Sequence, residues 1–188
     1  KRKNIRISMH PDQFTLINSL DTRVFENSVK ELFYHVQVLD LMGLDPSAKI
    51  QLHVGGVYGN KEKSTIRFIE RFEKLDETLK KRLVIENDDI NYNLQDCLKI
   101  SAETGIPVLF DVFHHEINSS GETTKEAFKA FTKTWKKKDG LPMVDYSSHR
   151  IGESSRKHAE SIRPEHFKQF LQETNPFDID VMLEIKDK

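Results

Sequence analysis

The sequence predicts an α/β fold built on a parallel sheet. Short β-rich runs alternate with longer stretches of helical period, no two of the runs lie close enough to form a hairpin, and glycine and proline punctuate the boundaries. Strands are expected over residues 4–9, 49–54, 83–85, 107–110, 142–146 and 179–183. Between them, residues 23–42 place Phe25, Val29, Leu32, Val36 and Leu39 on one helical face, and residues 63–80 do the same with Ile66, Ile69, Phe72, Leu75 and Leu79. Helices over residues 91–104, 123–137 and 163–173 complete the pattern. Gly43, Gly105 and Gly140 fall just past helix ends, where a left-handed cap favours glycine, and Pro107 and Pro142 open the strands that follow. An open doubly wound sheet and a (β/α)8 barrel both fit this alternation, and periodicity does not separate them.

Composition narrows the class. The chain has 188 residues with 29 Lys and Arg against 30 Asp and Glu, a net charge of −1, and 37% hydrophobic residues arranged in well-spaced blocks, so an ordered single domain is expected. The one cysteine, Cys97, excludes a disulfide framework and a cysteine-based zinc site and fits a reducing cytoplasmic setting. No apolar run approaches the ~18 residues of a membrane span, and the charged start lacks an apolar signal core. The net charge gives no global attraction to nucleic acid, so such a partner has to be argued from local features.

Chemistry concentrates at one place in the pattern. Every expected strand ends in a ligand-type residue: His10, His53, Glu86, Asp111 with His114 and His115 just beyond, Asp145, and Glu184. In parallel α/β folds those ends share one rim, where ligands bind. One such residue alone is more simply a loop histidine or the N-cap of the next helix. A full ring differs, because converging carboxylates raise one another's pKa unless a cation compensates them. Imidazole and carboxylate without thiolate suit manganese, zinc or iron rather than an all-oxygen calcium cage. The donors outnumber the four that one zinc takes, so two or three ions are expected, with Glu86 as the bridging carboxylate. Such clusters serve phosphodiester hydrolysis, and also sugar isomerisation through a polarised carbonyl.

Two segments lean towards phosphate and bases. Residues 53–61 combine glycines with Tyr58 and with Lys61 at a helix start, which suits an anion or simply a glycine-rich turn. Gln13-Phe14 follows His10 on the rim, where an aromatic could wedge into stacked bases or fill the loop's own core. The run Lys136-Lys137-Lys138 reads as a solvated helix end.

The segments RISMHPDQF, LHVGGVYGNK, LVIENDD, FDVFHH, DYSS, KHAESI and VMLEIKDK, in this order from about residue 4 to the last, resemble the UV damage endonuclease family. The resemblance implies a TIM (β/α)8 barrel related to endonuclease IV. The implied reaction is a single nick immediately 5′ to a cyclobutane pyrimidine dimer or 6-4 photoproduct in double-stranded DNA, which initiates excision repair. The implied cofactor is Mn²⁺, two or three ions, with Mg²⁺, Zn²⁺ or Co²⁺ as alternatives. Carried over by position, His10, His53 and Glu86 would hold one metal, and Asp111, Asp145 and Glu184 a second. His114 and His158 would hold a third, and His158 enters only through the resemblance. Glu86, His10 and Asp111 are the expected catalytic residues. Gln13 and Phe14 match a pair inserted at the lesion, and Tyr58 and Lys61 are expected to join them on DNA. A monomer, associated with a prokaryotic nucleoid, is expected.

Strand five departs from the family's Pro-Lys-x-His-x-Ser. Here it reads Pro142-Met143-Val144-Asp145-Tyr146-Ser147, so a lysine that can be carboxylated becomes Met143 and a histidine ligand becomes Asp145. A carboxylate can replace imidazole on Mn²⁺, whereas Met143 can neither bind it well nor be modified. Two other readings remain: a sugar isomerase or epimerase on the same barrel, and a non-catalytic binder of phosphate or damaged DNA. A TIM barrel needs ~250 residues. Residues 1–188 are therefore expected to be one domain, the C-terminal two-thirds or so of a barrel, covering its third to eighth strands.

Overall fold

The computed structural model describes residues 5–150 and 157–186. Five strands appear among them: β1 (Ile50–His53), β2 (Leu83–Glu86), β3 (Val108–Asp111), β4 (Met143–Tyr146) and β5 (Asp180–Leu183). All neighbours pair in parallel, in the order β1-β2-β3-β4-β5. That order settles the ambiguity left by periodicity. A doubly wound sheet reverses direction at a switch point, whereas strictly sequential parallel strands are the progression of a (β/α)8 barrel.

The strand expected over residues 4–9 is reduced to a parallel bridge between Met9 and Ile50, with Met9 N–H donating to Lys49 O and Gln51 N–H to Met9 O. Residue 4 lies outside the described residues. The bridge still places His10 at the rim one position before β1.

Strands β1 to β4 are buried on both faces, as parallel strands are when helices cover one side and a barrel interior lies on the other. Phe110 stacks on Phe131 and meets Phe128 edge to face, while Tyr146 packs against Phe167 and Phe170. Each such buried side chain contributes about 1.5–3 kcal/mol. By contrast β5 is only half-buried, and its Leu183 is 46% exposed.

The helices are α1 (Thr22–Leu41), α2 (Lys61–Glu73), α3 (Glu77–Lys80), α4 (Leu94–Thr104), α5 (Val112–Ile117), α6 (Thr124–Phe131) and α7 (Pro164–Thr174). In α1, Leu32, Val36 and Leu39 are buried as expected. The helix expected over residues 63–80 is two helices, because Asp76 turns extended and caps α3 by accepting from Thr78 N–H. The inward face of α2 is Ser64, Phe68 and Phe72, leaving Ile66 48% exposed and correcting the expected phase. The helix expected over residues 123–137 stops at Phe131. There Thr134 Oγ1 accepts from Val108 N–H at 2.9 Å and Trp135 Nε1 donates to Val108 O at 2.6 Å, so the chain turns to serve the start of β3. The lysine run lies in a short 3-10 turn, Lys137–Asp139.

Gly140 is also not a left-handed helix cap. A Cβ there would meet the Arg6 guanidinium at 2.8 Å, and that guanidinium binds Ser47 O, Leu141 O, Asp139 O and Asp180. Near this end of the sheet, opposite the rim, Lys49 Nζ is fully buried 2.7 Å from Asp139 Oδ1 and 2.8 Å from Lys81 O. Among the described residues no helix is long and apolar enough to cross a membrane.

Candidate metal centre

Register brings the ligand-type residues to one level. His53 on β1 stands opposite Glu86 on β2, and Asp111 on β3 opposite Asp145 on β4. Strand side chains alternate, so Gln51 and His53, Val84 and Glu86, Leu109 and Asp111, and Met143 and Asp145 each share a face. Their polar ends meet at the rim in three groups whose ligand atoms lie within 4.8 Å of one another: His10, His53 and Glu86; Glu86, Asp111 and His114; and Asp111, Asp145 and Glu184. Glu86 belongs to two of these groups, and so does Asp111.

Glu86 is the centre of charge. Its Oε1 lies 3.3 Å from His53 Nε2 and 3.8 Å from His114 Nδ1, and its Oε2 lies 3.4 Å from His10 Nε2. Burial pushes its carboxyl up, but the imidazoles of His53, His10 and His114 outweigh that and bring it down to about 2. Burial pulls His10 down, yet its contact with Glu86 and the Pro11 carbonyl lift it to about 9. The His10 Nδ1 proton is directed at Pro11 O, 2.8 Å away, which leaves Nε2 turned to the centre. A ligating histidine holds its tautomer by this kind of bond.

The other carboxyls lean the opposite way. Burial, reinforced by Glu86 and Glu184, pushes Asp111 and Asp145 well above the usual carboxylate range, and burial with Glu86 raises Glu184. Glu86 Oε2, Asp111 Oδ2 and Asp145 Oδ2 are all buried and accept no hydrogen bond. Three buried carboxylate oxygens left without a donor are costly unless cations take that place. With imidazoles beside them and no thiolate, the donor set fits divalent ions.

Local structure aims each group. Asp111 is at once a ligand-type residue and the N-cap of α5, its Oδ1 accepting from His114 N–H at 2.6 Å while Oδ2 accepts no hydrogen bond and lies 3.5 Å from His114 Nδ1. The helix α5, missed by periodicity, brings His114 round to the rim. His115, by contrast, is buried against Phe110, with ring centroids 4.8 Å apart. His158 lies beside the centre rather than in any of the three groups. Its Nδ1 is 2.7 Å from Ser147 Oγ and 3.7 Å from Glu184 Oε2, and a bridge between His149 and His158 pins its segment. Cys97 is buried with Sγ donating to Glu86 O at 3.3 Å, and burial pushes its thiol up.

Three polar residues that sequence reasoning missed hold this arrangement: Gln51, whose Nε2 donates to Asp145 Oδ1 at 3.2 Å; Asn87, which binds the Asp111 backbone; and Ser147. Gln51 alternates with His53 on β1, and Asn87 follows Glu86. Those placements hint at Gln51 and Asn87, and the family's strand-five motif hints at Ser147.

The neighbouring loop displays Gln13 and Phe14. Asp12 Oδ1 accepts from Phe14 N–H at 2.8 Å and Asp12 O from Thr15 N–H at 2.9 Å, a tight turn with both side chains outside it. Phe14 is 71% exposed and therefore no core residue of its loop. The glycine turn is shaped by a close approach: a Cβ on Gly55, at φ +110, would strike Asn18 Oδ1 at 2.3 Å. Tyr58 lies beyond it at φ 47, with the Arg67 guanidinium 5.4 Å from its ring. Lys61 is ion-paired to Asp96 and sits 5.3 Å from the Tyr92 ring, and Asn60 caps α2 by accepting from Lys63 N–H.

The chain is similar to known proteins in sequence and in fold. The family described as UV-endonuclease UvdE matches residues 1–188. The UV DNA damage endonuclease of Clostridium perfringens (strain 13 / Type A) is 42% identical over 190 residues, covering 100% of this chain and 46% of that protein. The UV DNA damage endonuclease of Bacillus cereus (strain G9842) is 40% identical, covering 100% of this chain and 60% of that protein. The chain thus spans about half to three-fifths of the length of these curated relatives. A crystal structure of SacUVDE superposes with a TM-score of 0.91 at 47% identity, covering 97% of this chain and 61% of that one. D-Psicose 3-epimerase from Clostridium cellulolyticum H10, solved with D-tagatose, shares the fold alone, with a TM-score of 0.61 at 12% identity, covering 96% of this chain and 64% of that one. The sequential parallel sheet is therefore that of a TIM barrel. With a match along its whole length and this identity to named relatives, the chain belongs to the UV-endonuclease UvdE family.

Proposed function

We propose that the protein carrying this chain is a metal-dependent DNA repair endonuclease that nicks double-stranded DNA immediately 5′ to UV photoproducts. The observation that carries this reading is the set of buried, undonated oxygens on Glu86, Asp111 and Asp145, facing the imidazoles of His10, His53 and His114. Family membership and the names of the relatives support it.

His10, His53 and Glu86 would hold one ion, Asp111, Asp145 and Glu184 a second, and His114 with Glu86 and Asp111 would offer a third position, with His158 alongside. Manganese suits this mixture of carboxylate and imidazole. When bound, such ions neutralise charge on the scissile phosphate and lower the pKa of a water nucleophile. Glu86, with Oε1 towards His53 and His114 and Oε2 towards His10, would be the carboxylate shared between neighbouring sites. The Pro11 carbonyl holds the proton on His10 Nδ1, and Asn87 keeps Asp111 at the rim. No side chain is required as a covalent nucleophile. Gln13 and Phe14, held outward by the Asp12 turn, enter the base stack where a photoproduct has weakened it, and Tyr58 and Lys61 line the approach. Lesions are then selected by the lower cost of unstacking a distorted dinucleotide. The bridge at Met9 and β1 to β5 are the third to eighth strand positions of one barrel domain.

Purified protein is incubated with photoproduct-bearing and undamaged duplexes, with Mn²⁺ or with chelator. A single cut on the 5′ side of the lesion, dependent on metal, is expected. Epimerisation of a ketose, or lesion binding without strand scission in Mn²⁺, would contradict the reading.

A further inference from the structure

The bond between Gln51 and Asp145 crosses the barrel interior. β1 and β4 are separated by β2 and β3 in the sheet, so the two residues meet face to face and not as paired neighbours. Both are buried, Gln51 at 4% exposure and Asp145 at 1%. Gln51 Nε2 donates to Asp145 Oδ1 at 3.2 Å, while Asp145 Oδ2 accepts from nothing. Gln51 lies directly below His53 on the same face of β1, one layer beneath the ligand-type residues.

A neutral amide cannot compensate the charge of Asp145. It can determine which oxygen is occupied and which is free. A short aspartate has two freely exchangeable oxygens, and one fixed donor from below breaks that symmetry. Oδ1 is tied down, and Oδ2, which accepts no hydrogen bond, is the oxygen left for the group that Asp145 forms with Asp111 and Glu184.

We propose that Gln51 is a positioning residue for the metal centre, acting through Asp145: it holds the carboxylate from across the barrel so that Oδ2 alone is presented to a divalent ion. This rests on the metal-centre reading above. An outer hydrogen-bond partner of a metal ligand typically contributes about 10–100-fold in metal affinity.

The test is a double-mutant cycle read by isothermal titration of metal-free protein with Mn²⁺. It uses wild type, Gln51→Met, Asp145→Ala and the double variant, each checked for a cooperative thermal melt. Gln51→Met is expected to weaken the tightest Mn²⁺ binding by about tenfold or more in the wild-type background and by less than about twofold in the Asp145→Ala background. If Gln51→Met does not fold, Gln51→Asn, whose amide falls one methylene short, replaces it with the same expectation. Unchanged affinity in the wild-type background overturns the proposal. An equal loss in both backgrounds also overturns it, because the effect then does not pass through Asp145. Wild-type protein that binds no Mn²⁺ overturns the metal-centre reading, and this proposal with it.

Discussion

Asn87 grips the backbone of Asp111 with both ends of its amide: Nδ2 donates to Asp111 O at 3.0 Å, and Oδ1 accepts from Asp111 N–H at 3.0 Å. The Asn87 carbonyl, in turn, lies 3.0 Å from His114 Nδ1. One residue past Glu86 therefore fastens the end of β2 to the end of β3 and steadies two further ligand-type groups. Asn87→Leu leaves a buried N–H and C=O without partners. A loss of about 2–4 kcal/mol in chemical denaturation is expected, together with weaker Mn²⁺ binding. Wild-type stability would mean that the clamp is replaced by other partners.

The pair formed by His10 and Glu86 sets a pH dependence with two signs. His10 is raised from 6.5 to about 9 without metal, so its contribution to folding is complete below about 6.5 and lost as pH rises through about 9. Glu86 is lowered to about 2, so its contribution is present above the usual carboxylate range and lost as pH falls through about 2. A metal ion bound at His10 would have to displace its proton below about pH 9. Mn²⁺ affinity should therefore rise with pH from neutrality up to about 9, by roughly tenfold per unit for one released proton. Calorimetry in buffers of different ionisation enthalpy counts that proton, and a pH-independent affinity would contradict the assignment.

Phe14→Ala separates recognition from architecture. The ring is exposed, so stability in chemical denaturation should change by no more than about 0.5 kcal/mol. Affinity for a photoproduct duplex should fall by about 1–3 kcal/mol if a base stacks on it. Equal affinity of the two proteins for damaged DNA, measured by fluorescence anisotropy, would remove Phe14 from lesion recognition.

Lys49→Met tests the far end of the barrel. It strands Asp139 in the interior without its cation, and about 3–5 kcal/mol of stability should be lost. Denaturation of metal-free protein reads this without involving the rim.

The legible part of the fold is local. Apolar runs in β1 to β4 are buried on both faces, so their positions stood out, and the ligand-type residues are the ones that end those runs. The resemblance alone supplied His158, because it lies on an irregular segment with no period. Asp111 hid α5 by serving as strand end and helix cap at once. Gln51 and Asp145 are 94 residues apart and Lys49 and Asp139 are 90, so neither pairing leaves a trace in periodicity. The phase of α2 was misread because small Ser64, hydrogen-bonded to Val57 O, takes an inward position that Ile66 seemed to claim.

Under the proposed function the carboxylate of Glu86 would be shared between ion sites and the chemistry would depend on it. Metal-free wild type and Glu86→Gln are titrated with Mn²⁺, bound ions per chain are counted by mass spectrometry of the metal, and the same samples are run on a photoproduct duplex. Wild type should hold at least two ions and cut once beside the lesion, whereas Glu86→Gln should lose bound metal and nicking together. A Glu86→Gln protein with the wild-type ion count and the wild-type nicking rate would contradict the account.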